Sequence, residues 1–154
     1  MSQHTATIKW TFGDGDFAKG RYSREHTWTF DGGLVVHASS SPTVVPIPMS
    51  NPSYVDPEEA FVASLSSCHM LTFLYVASRK GFAITEYVDE AVGTMTKNAE
   101  GTPWISSVVL RPRIAWAGDK KPTPDEEHAL HEAAHKGCFI AQSVKTDVRV
   151  EAAS

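Results

Sequence analysis

Alternating polar and apolar positions open the chain and predict an antiparallel arrangement of strands. Residues 5–12 carry apolar side chains at every second position, and residues 26–30 repeat the alternation. A period of two residues is typical of a strand with one buried face. Residues 31–33 are Asp-Gly-Gly, a turn sequence that leads into the apolar segment 34–38. The N-terminal region is therefore expected to contain three antiparallel strands, the last two joined as a hairpin.

The middle of the chain combines an irregular segment with the most apolar run of the sequence. Residues 39–55 are rich in serine and proline, which predicts a long connection of the kind that often lies over an active site. Asp56 is a candidate N-cap, Pro57 suits the first helical turn, and Gly81 suits the position after the last turn, so a helix is expected to end near Lys80. Because this helix is apolar on nearly all faces, we expect it to be buried inside the monomer or against a second subunit.

The C-terminal half predicts further strands and a second helix. Residues 84–97 and 104–116 have the pattern of two long strands in a second hairpin. Residues 123–126 are Thr-Pro-Asp-Glu, a capping box with proline at the first helical position, so a second helix is expected to run to about Gly137. Residues 146–150 form the last predicted strand. The order β-β-β-α-β-β-α-β is typical of an α+β fold.

Composition and charge narrow the class of protein. The chain has 154 residues, 42% of them hydrophobic and 21% charged, so residues 1–154 are expected to form a single domain. The net charge is -4 without clustered Lys and Arg, which argues against nucleic acid and anionic membranes as partners. No basic segment followed by an apolar run opens the chain, and serines interrupt the central apolar helix, so neither a secretory signal nor a membrane span is predicted. A cytoplasmic location is expected.

The two cysteines are the first candidates for chemistry. Cys68 lies inside the apolar helix, where a lone cysteine usually packs like a small hydrophobic residue. Cys138 lies just past the second helix and behind Gly137, where the backbone can approach another element closely. A dithiol that cycles through a sulfenic acid and a disulfide needs a second thiol within bonding reach. Cys68 and Cys138 are therefore candidates for such a pair.

The alternative is a metal site, in which Cys138 would be a ligand together with two histidines. His131 and His135 are four residues apart and share a helix face, and the Cys138 thiolate could close the set. No fourth ligand is apparent, and solvated side chains on an exposed helix face remain the commoner explanation.

Two segments carry a family resemblance. Residues 56–68 are Asp-Pro-Glu-Glu-Ala-Phe-Val-Ala-Ser-Leu-Ser-Ser-Cys, and residues 134–138 are Ala-His-Lys-Gly-Cys. Together they resemble the OsmC/Ohr family, the osmotically inducible protein C and organic hydroperoxide resistance group. The resemblance implies an intertwined homodimer with antiparallel sheets, a buried central helix and active sites at the subunit interface. It also implies that Cys68 is the peroxidatic cysteine and Cys138 the resolving cysteine.

The same resemblance implies an active-site glutamate and arginine. By position they correspond to Glu58 and Arg24, with Arg21 as the reserve candidate. An arginine beside a thiol favours the thiolate and donates hydrogen bonds to peroxide oxygens, and a glutamate can hold the guanidinium in place. In the simpler interpretation, Glu58 only complements the helix dipole and Arg24 is a solvated strand residue.

The implied function is a thiol peroxidase that reduces organic, and in the broader case inorganic, hydroperoxides. The resemblance points to a dithiol reductant such as a lipoylated protein, and the chemistry requires no metal, flavin or nucleotide. The chain departs from the family pattern at Phe139, where a proline is usual, and at His69, where an aromatic residue is usual. His69 is interpreted as a core histidine. The alternative is a stress protein on the same fold that binds a small molecule without catalysis.

Overall fold

The computed structural model describes residues 1–151, which form an α+β fold. The chain divides into two compact units, Met1–Ala60 and a second that begins at Phe61. The elements are β1 (Ala6–Lys9), β2 (His26–Phe30), β3 (Val35–Ala38), α1 (Pro57–Arg79), β4 (Ala83–Asp89), β5 (Val92–Lys97), β6 (Pro103–Leu110), β7 (Pro112–Ala117), α2 (Pro124–Gly137) and β8 (Asp147–Val150), with short 3-10 helices at Phe17–Lys19 and Ala141–Ser143.

The N-terminal unit contains the predicted antiparallel sheet, in the order β1-β2-β3. Strand β1 is shorter than predicted and ends at Lys9. The aromatic ring of Trp10 packs edge-on against Tyr22, with ring centroids 5.6 Å apart, and its indole N–H donates to the carbonyl of Ser23 at 2.9 Å. These contacts hold Trp10 against the segment that contains Tyr22 and Ser23, so the chain after Lys9 does not continue along β2.

The proline-rich segment is irregular, as predicted, and hydrogen bonds hold it to the sheet. The N–H of Ser39 donates to the carbonyl of Val55 at 2.9 Å, and the N–H of Arg24 donates to the carbonyl of Met49 at 2.8 Å. Both bonds involve the main chain. The bond of Arg24 fixes the backbone that carries its side chain, and the bond of Val55 fixes the segment that leads into α1.

Both helices begin at the predicted caps. At α1, the Glu59 N–H donates to Asp56 Oδ1 at 2.8 Å, and the Asp56 N–H donates to Glu59 Oε2 at 3.2 Å. At α2, Thr123 and Glu126 exchange the same two bonds, at 3.2 and 2.8 Å. Each pair satisfies two donors that a helix N-terminus otherwise leaves free.

The two long strands predicted in the C-terminal half are each broken in two. Strand β4 pairs with β7, and β5 pairs with β6, both antiparallel. Two features accompany the break at Arg111: its N–H donates to Asp89 Oδ1 at 2.6 Å, and the next residue, Pro112, has no N–H to offer a ladder. Strand β8 then pairs with β6 in parallel, in addition to the antiparallel pairing that was expected.

Within one chain, helix α1 is buried along one stripe only, so of the two expected alternatives, burial inside the monomer or against a second subunit, the first holds for one face. The buried stripe repeats every four residues, as one helix face does. On another face, the side chains of Leu71 and Tyr75 are 61% and 65% exposed. By length and composition α1 could cross a membrane, but its buried stripe packs against α2 and β6 as a core helix does. The stripe consists of Leu65, His69, Phe73 and Ala77.

Candidate functional site

The structure brings the Cys68 and Cys138 thiols together. Cys68 lies near the middle of α1 and is half-buried, and Cys138 is the first residue after α2 and is 1% exposed. Both are free thiols. Burial raises the pKa of Cys138 to about 11, and a hydrogen bond with the Cys68 side chain acts in the same direction. The two thiol groups are therefore close enough to interact in the reduced protein, and Cys138 is protonated at neutral pH.

The end of α2 lies unusually close to α1. A Cβ placed on Gly137 would be 3.0 Å from the Cγ2 methyl of Thr72. The Thr72 hydroxyl donates to the carbonyl of Cys68 at 2.9 Å, and the Ala141 N–H donates to the Cys138 sulfur at 3.4 Å. The close approach of the helices fixes the positions of both cysteines. Each of the two hydrogen bonds, which involve the Cys68 carbonyl and the Ala141 N–H, adds a main-chain contact.

A second pair of side chains joins the same two helices. His69 Nε2 and His131 Nδ1 are 3.1 Å apart and hydrogen-bonded, and the two rings stack with their planes 9° apart. Burial lowers the pKa of each histidine to about 4, and each is lowered further by neighbouring histidines. Both rings are therefore neutral at pH 7. His69 is a core histidine, as interpreted, but its remaining ring nitrogen and that of His131 are buried without a partner among the described residues.

The pairing of His131 with His69 bears on the metal alternative. Within residues 1–151, no three His, Cys, Asp or Glu side chains are grouped so that they could hold a metal ion. The sequence pattern of His131, His135 and Cys138 does not become a ligand set, because His131 faces His69 across the helix contact.

Arg24 lines a cavity of about 530 Å³ in the N-terminal unit. Its Nη1 donates to the carbonyl of Gly20 at 2.9 Å and to that of Tyr22 at 2.5 Å, and its guanidinium lies 3.5 Å from the centre of the Tyr22 ring. Arg21 instead pairs with Asp16 at 3.6 Å, with 65% of its side chain exposed. Of the two candidate arginines, Arg24 is the one that lines this cavity.

Glu58 lines the same cavity. Burial raises the pKa of its carboxyl, and the charges of Asp56 and Glu59 act in the same direction, while a backbone hydrogen bond opposes them. Its Oε2 is buried and has no hydrogen-bond partner among the described residues. Main-chain carbonyls therefore hold the Arg24 guanidinium in this structure, where the family resemblance implied the Glu58 carboxylate.

The walls of this cavity are mainly apolar. Four aromatic rings of the unit pack on one another, among them Phe17 and Tyr22, which stack with centroids 4.6 Å apart. The sequence alone does not identify this apolar wall, because its aromatic residues come from segments that share no single strand period. The lining residues are Ile8, Trp10, Phe17, Tyr22, Arg24, His26, Ser39, Ser40, Pro57 and Glu58.

Comparison with known proteins places the chain in a family. The family model described as OsmC-like protein matches residues 50–153. No protein with curated function matches the chain.

Solved structures match over nearly the whole chain. An OsmC-like protein of unknown function from Vibrio cholerae is 48% identical, with a TM-score of 0.96 over 99% of this chain and 100% of that one. The organic hydroperoxide resistance protein OsmC from Legionella pneumophila is 15% identical, with a TM-score of 0.74 over 100% and 98% of the two chains. The organic hydroperoxide resistance protein OhrB of Bacillus subtilis is 19% identical, with a TM-score of 0.71 over 99% and 98%. The last two likenesses establish the shared fold.

Proposed function

The chain belongs to the OsmC-like protein family, and from this premise we propose that it is a dithiol-dependent peroxidase that reduces organic hydroperoxides. The observation that carries the proposal is the proximity of two free thiols, Cys68 and Cys138, across the α1–α2 packing. Neighbouring thiols can be oxidised to a disulfide without a large rearrangement. The structural relatives from Legionella pneumophila and Bacillus subtilis are both named organic hydroperoxide resistance proteins, which points to the oxidant.

The first step oxidises Cys68. Its thiolate attacks the distal oxygen of ROOH, an S–O bond forms, and the O–O bond breaks. The alkoxide that leaves takes up a proton and departs as ROH. Cys68 is then a sulfenic acid, two electrons more oxidised than the thiol.

The second step engages Cys138. Its sulfur attacks the Cys68 sulfur, an S–S bond forms, and the S–O bond breaks. The departing hydroxide takes up the proton of the Cys138 thiol and leaves as water. An external dithiol then reduces the disulfide by thiol–disulfide exchange and becomes a disulfide itself. We expect this reductant to be a small dithiol or a lipoylated protein in the cytoplasm.

Arg24 and Glu58 complete the proposed machinery. A guanidinium beside the reacting sulfur favours the thiolate and donates hydrogen bonds to the peroxide oxygens. Main-chain carbonyls already orient the Arg24 guanidinium, and the free Oε2 of Glu58 is available to accept from it when substrate binds. The aromatic walls of their cavity suit a hydroperoxide with an apolar body.

A homodimer is part of the proposal, because an apolar helix face is left uncovered. Leu71 and Tyr75 project from α1 with more than half of each side chain exposed. Exposed apolar patches of this kind mark protein–protein interfaces. We propose that a second copy of the chain covers this face.

One observation favours a second candidate function. Cys138 is almost fully buried and its pKa is raised to about 11, which also suits a cysteine that packs without turning over. A stress protein that binds a small molecule in the Arg24 cavity would have such thiols. Turnover separates this candidate from the peroxidase.

Two cysteine substitutions test the proposed function. Consumption of cumene hydroperoxide is measured with dihydrolipoamide as the reductant. Cys68→Ser should abolish turnover, because no sulfur remains to attack the peroxide. Cys138→Ser should allow one oxidation per chain and then stall or over-oxidise, because no second thiol resolves the sulfenic acid.

The two variants also distinguish the candidates. Complete loss of the first oxidation in both variants would contradict the separate roles of the cysteines. A wild-type protein that consumes no hydroperoxide with any dithiol would favour the non-catalytic binding protein.

A further inference from the structure

Gly137 stands at a close approach of the two helices that carry the cysteines. It is the last residue of α2 and immediately precedes Cys138. Its φ is not positive, unlike that of Gly81 after α1, so the left-handed backbone that often explains a glycine at a helix end does not explain this one. What the position does require is space, since an added Cβ would lie 3.0 Å from the Thr72 methyl.

The Thr72 methyl cannot easily move aside. The Thr72 hydroxyl donates to the carbonyl of Cys68, four residues earlier on α1, at 2.9 Å. In a helix this hydrogen bond selects the χ1 rotamer of threonine and thereby fixes the methyl. A side chain at position 137 therefore displaces the end of α2 or breaks the bond to Cys68, and either change alters the approach of the two thiols.

We propose that Gly137 is a positioning residue for disulfide formation, which acts by letting the end of α2 close onto the Thr72 methyl and so bring Cys138 to Cys68. This inference rests on the proposed function for its role in turnover. In the step concerned, the Cys138 sulfur attacks the Cys68 sulfenic acid, the S–S bond forms, the S–O bond breaks, and the proton of the Cys138 thiol leaves with the hydroxide as water. Of the two thiols, only Cys68 takes part in the attack on peroxide, so Gly137 acts on the second step and not on the first.

Gly137→Ala tests the proposal when the two steps are timed separately. Single-turnover experiments with cumene hydroperoxide measure the loss of peroxide for the first step. Mass spectrometry, with dimedone as the trap for sulfenic acid, measures disulfide formation for the second. We expect disulfide formation to slow by about tenfold or more, because displacements of the order of 1 Å have effects of this size. The first oxidation should stay within about twofold of wild type.

A second substitution separates positioning from a general structural role. Thr72→Ser removes the methyl but keeps the hydroxyl that bonds to Cys68. The double variant Gly137→Ala/Thr72→Ser should therefore recover most of the disulfide rate, whereas Gly137→Ala/Thr72→Val, which keeps a methyl, should not. Gly32→Ala is the matched control, because Gly32 has no positive φ and nothing lies near its Cβ position. Circular dichroism checks that each variant is folded.

Oxidation with diamide makes the test independent of peroxidase activity. Diamide takes two electrons and two protons from the thiol pair, so it forms the Cys68–Cys138 disulfide without a hydroperoxide. The same order of rates is expected with either oxidant. An unchanged disulfide rate in Gly137→Ala, or a slow rate that Thr72→Ser does not restore, would overturn the positioning role. If diamide shows the expected order while wild type consumes no hydroperoxide, the proposed function fails and the positioning role stands.

Discussion

At the scale of single residues, Cys138 differs from a thiol made for direct attack on peroxide. Its burial and its hydrogen bond with Cys68 raise its pKa to about 11, so it is a thiol and a weak nucleophile at neutral pH. In the proposed second step the departing hydroxide takes up the proton of the Cys138 thiol, so Cys138 does not need to be ionised beforehand. This supports Cys68 as the attacking residue and Cys138 as the resolving residue.

The two arginine candidates make different predictions. Arg24→Ala should lower kcat/KM for cumene hydroperoxide by about tenfold or more, because it removes a charge and the hydrogen-bond donors proposed for the transition state. Arg24→Lys should recover only part of this loss, since lysine lacks the guanidinium fork. Arg21→Ala is the control and should stay within about twofold of wild type, because Arg21 is an exposed partner of Asp16. A large effect in Arg21→Ala alone would show that the family arginine was misplaced.

The buried histidine pair makes stability depend on pH. Burial lowers the pKa of His69 and His131 from the ordinary histidine value of 6.5 to about 4 in the folded protein. Between these values the unfolded chain binds more protons than the folded one, so the free energy of unfolding should be highest above pH 6.5 and fall as the pH drops towards 4. The loss is at most on the order of 3 kcal/mol for each histidine. The charges of neighbouring groups also act on the two pKa values: His135 lowers and Asp89 raises that of His69, and His128 lowers that of His131.

Urea denaturation at several pH values measures this dependence. The double variant His69→Gln/His131→Asn can keep a hydrogen bond between the same two positions without titrating, so it should lose most of the slope. His4→Gln, at an exposed histidine, is the control and should keep it. An equal slope in the double variant and in wild type would show that the acid sensitivity arises elsewhere.

At the scale of elements, capping chemistry and periodicity predicted both helices well. The ends of α1 and α2 follow from Asp56, Thr123 and their partner glutamates, which act within one helical turn. The break at Arg111 could not be predicted from the alternation alone, because one of its two features is a hydrogen bond to Asp89, which is far away in sequence. The residues at each helix end were identified from the sequence, but the contact of Gly137 with Thr72 depends on how the helices pack.

The same distinction applies to the candidate site. The family resemblance selected Cys68, Cys138, Arg24 and Glu58, and the structure gives each of them a defined environment. The family resemblance did not predict the histidine pair. The one sequence signal for the pair is that His69 falls on the four-residue spacing of the buried stripe of α1. Its partner His131 is on another helix, and no local pattern relates the two.

The exposed face of α1 predicts how the chain associates. Leu71→Asp should shift the protein from dimer to monomer, because burying a carboxylate without a partner in an apolar interface is unfavourable. Size-exclusion chromatography with light scattering measures the mass. Lys121→Glu, at an exposed position outside α1, is the control and should leave the mass unchanged. A wild-type chain that is monomeric at micromolar concentration would contradict the proposed dimer.

At the scale of the whole molecule, the fold is shared with hydroperoxide resistance proteins at identities of 15% and 19%. At such low sequence identity, a shared fold does not establish a shared reaction. We propose that the chemistry depends on specific side chains: an arginine that lines an aromatic cavity of the N-terminal unit, and two neighbouring thiols in the other unit. The proposed peroxidase requires both sets, and the thiol pair is the part that must change covalently in every cycle.

The state of the two cysteines after oxidation is the most direct test. Wild-type protein is treated with one equivalent of cumene hydroperoxide, the remaining thiols are alkylated, and the peptides are identified by mass spectrometry without reduction. The account predicts a Cys68–Cys138 disulfide within one chain, which dihydrolipoamide converts back to two thiols. Cys138 recovered as an alkylated thiol while Cys68 is unmodified or over-oxidised would contradict it.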